Sequence, residues 1–318
     1  MEFQGNRVEA ALLYSTLSDN WDSERESYGS VYWKNRNSKY NHPFRDYFWD
    51  YWDYLDAEYS AEEVRDFIAE IKEFGADTAG FNGFKFREVK EKLAFLYDML
   101  GTKYVRENQM EKAAEAFSNI TDWYWSKQYS AWGDGSNVFD KNPFFHLKYT
   151  PEFIAQVDTI RLNKYNVTVQ LMEYLKRAED ANETERDYYY FLVANGYFNM
   201  SCQGNSWMMR RFYYSTYDIR GYVDDSEYYE MNLAKEYYGL AKKYAKTREF
   251  EALCVRMMAR CEKNRIFHSQ KNSYDEVALD KNLSLNKYYL ELKNDYSDYF
   301  EELESDCYAF ERYFASRR

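Results

Sequence analysis

The 318 residues include 35 Tyr, 22 Phe and 8 Trp but only 3 Pro and 12 Gly, a balance that argues against both a disordered chain and a many-turned β-structure. The formal net charge is −12 and no basic block of five or more residues occurs, so the surface repels nucleic-acid backbones. No apolar run approaches the roughly 18 residues that a membrane-spanning helix needs, and the chain reads as soluble with its compartment open.

In chain order, "MEFQGNRVEAALLYSTL" has neither a charged leader nor an apolar signal core. "GNRVEAALLYSTL" reads as the second helix of a hairpin whose first helix is missing. The chain is therefore expected to be a piece of a longer protein, from which an export signal could have been lost. "YSAEEVRDFIAEIKEFG" is a helix with Val64, Phe67, Ile68, Ile71 and Phe74 at helical spacing. Ser60 and Glu63 form a capping box, and Gly75 stops it. A second helix starts near Phe86 and carries Leu93, Leu96, Tyr97, Leu100 and Tyr104 on one face. Thr150-Pro151 opens a helix containing Phe153, Ile154, Val157 and Ile160. Further helices are expected at about 165–179, 184–200, 226–246, 249–265 and 283–295. A last one follows Ser297, with Phe300, Leu303, Cys307, Phe310 and Phe314 in register. The fold class is all-α.

Three irregular segments, roughly 20–50, 121–149 and 201–224, are rich in Trp, Tyr, Asn and Ser. Long loops in compact domains are either packed by their own side chains or functional. Two readings follow: these rings cover helix ends, or they frame a binding surface. On the second reading, Trp207, Arg210, Arg211, Tyr213 and Tyr214, with Trp123, Trp125 and Trp132, would contact a partner or ligand. Trp, Tyr and Arg are enriched at binding hot spots, and rings beside Asn and Asp also suit a sugar.

"LYDMLGTKYVRENQMEKAAEAFSNI" holds the clearest repeat, 94–127. Tyr97, Leu100, Gly101 and Tyr104 have the spacing of W-x2-L-G-x2-Y with Tyr for Trp, and Ala113 and Phe117 follow as a small residue and an aromatic four on. Ile120 replaces a second small residue, and Trp125 stands where a terminal Pro would be. The unit resembles a tetratricopeptide repeat, a helix–turn–helix of 34 residues. Gly101 and Ala113 would mark the close approach of the two helices, with the larger side chains filling space around it. Ala10, Tyr14 and Leu17 echo the second helix, as do Ala234, Tyr238 and Ala241; Phe191, Ala194, Asn195 and Phe198 occupy the first-helix positions without the Leu-Gly pair. The aromatic, Asn-rich loops are also similar to those of large repeat proteins of Bacteroidetes-type bacteria, many of them exported to the cell envelope.

Catalytic patterns are scarce. His42, His146 and His268 are far apart, with no His-Glu-x-x-His or His-x-His spacing for a metal. No Gly-x-Ser-x-Gly elbow or phosphate-cradling Gly-rich loop occurs. Cys202, Cys254, Cys261 and Cys307 have no Cys-x-x-Cys spacing and read as core residues. No cofactor is expected. The resemblance implies a single right-handed solenoid of antiparallel helix pairs over 1–318, with long aromatic insertions. Its expected function is a non-catalytic scaffold for a protein or peptide. The alternatives are a glycan-binding protein of the bacterial envelope and, third, a helical carbohydrate-active hydrolase with two convergent carboxylates.

Overall fold

The computed structural model describes residues 4–15, 51–76, 79–86, 89–125, 141–147, 161–212, 222–269, 284 and 286–300, without the side chains of 14, 51, 53 and 84. Among the described residues all regular structure is helical. The chain divides into two compact units, Met1–Trp125 with Ser215–Val223, and Ser126–Tyr214 with Asp224–Arg318. The helix expected after Thr150-Pro151, and most of the one after Ser297, lie outside the described residues.

The first unit contains α1 (Arg7–Ser15), α2 (Tyr51–Glu58), α3 (Ala61–Phe74), α4 (Gly80–Phe86), α5 (Leu93–Arg106), α6 (Met110–Phe117) and the single turn α7 (Asp122–Trp125). At α3 the capping box is formed as expected: Ser60 Oγ accepts from the Glu63 N–H, and the Ser60 N–H donates to the Glu63 carboxylate at 2.8 Å. Val64, Phe67, Ile68 and Ile71 are buried on one stripe, and the α3 face packs on α1 and α5. Phe74, grouped with them by spacing, is the last helical residue and is 45% exposed. The helix expected from Phe86 onward is interrupted. A 3-10 turn, Val89–Lys92, separates α4 from α5 and turns its one apolar residue, Val89, into the core.

The α5–α6 connection explains itself locally. Asn108 adopts a left-handed φ of 57°. The Gln109 N–H donates to Tyr104 O at 2.8 Å, and the Asn108 N–H to Val105 O at 3.1 Å. Those two bonds make a Schellman motif, with Asn in the place Gly most often takes. The two helices then pack so closely that a Cβ at Gly101 would stand 2.3 Å from Phe117 Cε1. The sequence pairs Gly101 with Ala113; the group nearest Gly101 is instead the Phe117 ring. Leu100, Tyr104, Ala113 and Phe117 are all buried, and Tyr97 is half-buried.

Charge is buried beneath this pair. Arg106 grips Asp56 with two bonds of 2.7 Å, its guanidinium lying 4.4 Å from the Tyr222 ring centroid. Lys103 Nζ donates to Asp56 O and Tyr59 O, each at 2.5 Å. It thereby satisfies carbonyls that the end of α2 leaves open. Burial, opposed by Asp56 and reinforced by the Arg106 cation, brings the Lys103 ammonium down to about 8.

The second unit contains α8 (Lys164–Glu179), α9 (Arg186–Asn199), α10 (Asp225–Glu230), α11 (Asn232–Tyr244), α12 (Arg248–Ser269) and α13 (Lys287–Asp295). From Tyr189 to Asn199 every residue of α9 is buried, as befits a helix apolar nearly all round. It packs against α8 on one side and α11 on the other, and α11 packs on α12. Gly196 lets Phe144 approach, for a Cβ there would lie 2.9 Å from Phe144 Cε1.

The helix expected over 226–246 is broken in two. Met231 takes φ 56°, ψ 44°, a conformation that costs a non-glycine residue of order 1–3 kcal/mol. Two compensations are visible. The Met231 side chain is fully buried, and the Glu227 carboxylate accepts the Leu233 N–H at 3.0 Å, capping the start of α11. Ala234, Tyr238 and Ala241 are all buried on α11. Of the N-terminal echo, Ala10 is buried, while the Tyr14 side chain and Leu17 lie outside the described residues.

Two stability outcomes follow. Gly101→Ala gains up to about 1 kcal/mol of helix propensity but overpacks Phe117 at a cost of about 1–3 kcal/mol. Urea denaturation should therefore give a less stable protein; an increase would contradict the close contact. Lys103 gives a pH signature. An ordinary lysine holds its proton to 10.5, whereas folded Lys103 holds it only to about 8. Between these values the unfolded chain binds a proton that the folded chain has released, so this residue's share of stability rises with pH. The stability of wild type relative to Lys103→Met should increase from pH 8 to 10.5, and a falling difference would refute the assignment.

Candidate functional site

The segment singled out by its aromatics, 201–224, begins where α9 ends. Asn199 organises its first part. The Asn199 carboxamide Nδ2 donates to Pro143 O and His146 O, both at 2.7 Å, and Oδ1 accepts from the Asn205 N–H at 3.3 Å. Its backbone carbonyl accepts from the Ser206 N–H at 2.8 Å, leading into a 3-10 turn at Trp207–Met209. One asparagine thus ties segments 141–147 and 201–212 to the end of α9. Met208 and Met209 are buried beneath the turn, and Trp207 is half-buried.

Arg210 and Arg211 leave the turn pointing inward. Arg210 Nη1 donates to Asp224 Oδ2 at 2.8 Å and Arg211 Nη1 to Asp224 Oδ1 at 2.7 Å. Arg211 Nη2 reaches Asp225 Oδ1 at 3.0 Å, and its guanidinium lies 4.1 Å from the centroid of Tyr228. The two arginines are 1% and 2% exposed. Their guanidiniums are occupied by the chain's own carboxylates, which withdraws both from the set of groups available to a partner. Burial also pushes the Glu227 carboxyl above the usual range, opposed by the nearby Arg210 cation. Asp224 and Asp225 were not singled out from the sequence. Their signal was an Arg-Arg pair and an Asp-Asp pair bracketing "FYYSTYDIRGYV".

The remaining site residues are scattered. Trp125 is buried in the first unit, edge-on to Phe117 with centroids 5.8 Å apart, and acts as packing at the end of the α5–α6 pair. Trp123, two residues earlier, is 66% exposed. Trp132, Tyr213 and Tyr214 lie outside the described residues. Cys254 and Cys261 are buried as expected, burial pushing the Cys261 thiol well up, whereas Cys202 is half-buried. Cys307 lies outside the described residues. His268 Nδ1 lies 2.9 Å from Glu230 Oε1, an ion-pair or hydrogen-bond partner rather than a ligand set. Among the described residues no group of three or more His, Cys, Asp or Glu could hold a metal ion, and no helix is long and apolar enough to cross a membrane. Comparisons with protein-family models, curated proteins and solved structures return no match.

The two aspartates should respond unequally to truncation. Asp224→Ala leaves two buried guanidiniums without their shared carboxylate and should cost about 3–5 kcal/mol. Asp225, 29% exposed at its side chain, should cost at most about 1 kcal/mol on truncation to Ala. Equal losses in chemical denaturation would overturn the assignment of Asp224 as the buried centre.

Proposed function

We propose that this chain is a non-catalytic scaffold that holds a protein or peptide on a surface made by stacked helix pairs, a degenerate tetratricopeptide-like right-handed solenoid. One observation carries the reading. In the α5–α6 pair the position of the motif glycine, Gly101, meets the ring of Phe117. In the α9–α11 pair the corresponding position, Asn195, accepts a hydrogen bond of 2.7 Å from the corresponding ring, Tyr238. The same two template positions touch in two helix pairs, with Gly–Phe exchanged for Asn–Tyr. Sequential packing of α8 on α9, α9 on α11, α11 on α12 and α12 on α13 supports a stacked array. Such arrays present extended surfaces to partner segments.

With Arg210 and Arg211 engaged internally, Trp123 and Trp207 are the candidate contacts that remain among the described residues. The exposed Trp123 ring also favours a second reading, recognition of a glycan through its apolar face. Peptide and glycan arrays probed with wild type and Trp123→Ala separate the two. Peptide binding that survives Trp123→Ala supports the helical surface. Glycan binding abolished by Trp123→Ala moves the assignment to the second reading, and turnover of any glycoside sinks both.

A further inference from the structure

Four tyrosines form one column in the seam between α9 and α11. The rings of Tyr197 and Tyr237 are parallel within 5°, with centroids 5.4 Å apart. Tyr237 continues to Tyr190 at 6.3 Å and 23°, and Tyr190 to Tyr244 at 5.7 Å and 14°. The Arg186 guanidinium closes the column, 4.0 Å from the Tyr244 centroid. Offset parallel stacking is a normal geometry for two rings, but four phenols in sequence, alternating between two helices, make a path for charge. We propose that this column is a site of oxidative modification, at which a one-electron oxidant of the peroxidase class joins Tyr197 to Tyr237 by a carbon–carbon bond.

The electrostatics set the direction. Tyr244 is half-buried, and it lies beneath Arg186 with Lys243 Nζ 5.4 Å from its centroid. Two cations disfavour an electron hole there. Tyr237 has the opposite surroundings. Its phenol is pushed upward by burial and then by the carboxylates of Glu236 and Glu179. Those carboxylates favour a hole on Tyr237. A hole formed on Tyr244 therefore moves through Tyr190 to Tyr237, half-buried like Tyr244, whose most nearly parallel neighbour is Tyr197.

The chemistry balances. Each phenol loses one electron to the oxidant and its hydroxyl proton to water. The two phenoxyl radicals couple at ring carbons ortho to oxygen, and each displaced ring hydrogen moves to the oxygen to restore the phenol. Two electrons and two protons leave in total; with hydrogen peroxide as terminal oxidant they convert it to two waters. The product is a covalent staple between α9 and α11.

The test is treatment of the full chain with hydrogen peroxide and a haem peroxidase, followed by dityrosine fluorescence and mass spectrometry of the digest. The expected product is an intramolecular pair joining Tyr197 and Tyr237, dominant among the 35 tyrosines. Tyr237→Phe keeps the ring and should remove that pair while leaving the melting curve cooperative. Tyr244→Phe should lower its yield without changing its identity. Cross-links spread over other tyrosines, joined between chains, or undiminished in Tyr237→Phe would overturn the proposal.

Discussion

The carboxamide of Asn195 is where three elements of the second unit meet. Its Nδ2 donates to Phe144 O at 2.7 Å, and its Oδ1 accepts the Tyr238 hydroxyl at the same distance. It does this from the middle of a helix whose every neighbour is buried. A polar group in such a place costs free energy unless each donor and acceptor is met. Asn195 therefore specifies position as much as it stabilises: only one placement of α11, and one of the 141–147 segment, satisfies it. Tyr238 is held by the same constraint, its ring 5.4 Å from Phe191 and its hydroxyl pushed far up by complete burial. Asn199, one turn later, repeats the device for the 201–212 segment.

Buried charge does comparable work in both units, and in each case the geometry is bidentate or shared. Asp56 faces Arg106 through two bonds, and Asp224 is divided between Arg210 and Arg211. Planar guanidiniums suit this, because their fork matches a carboxylate and their faces accept a ring. Tyr222 and Tyr228 supply those rings. The abundance of tyrosine thus has a physical role beyond volume: these rings cover the faces of buried cations. The acidic total charge of the chain coexists with buried carboxylates, Asp56 and Asp224, that are each met by buried guanidiniums.

How far the sequence was legible depended on whether the determining interactions were local. Ser60, Glu63 and Ile71 act within one or two turns, so the bounds of α3 could be read directly. The helices at 164–179, 186–199 and 248–269 also lie near their expected places, because apolar spacing decides them. The break at Met231 was invisible, since its causes are burial of one methionine and capping by Glu227, and nothing in "EYYEMNLAKEY" departs from helical periodicity. Arg210 and Arg211 mark the same limit for function. A guanidinium beside aromatic residues reads as a contact for a partner until its counter-ion, more than ten residues away in the chain, is known. At Gly101 the spacing names the small residue, whereas the Phe117 ring against it is seen only in three dimensions.

The turn at Asn108 has a consequence for how the protein is made. It closes α5 on α6 through contacts local in sequence, whereas the Asn195–Tyr238 bond spans 43 residues. Each doubling of a closed loop adds about 0.6 kcal/mol of entropy to be overcome, and local contacts form faster than distant ones. The α5–α6 pair is therefore complete in its own sequence well before α11 has been synthesised. Closing α5 on α6 costs less loop entropy than closing α9 on α11.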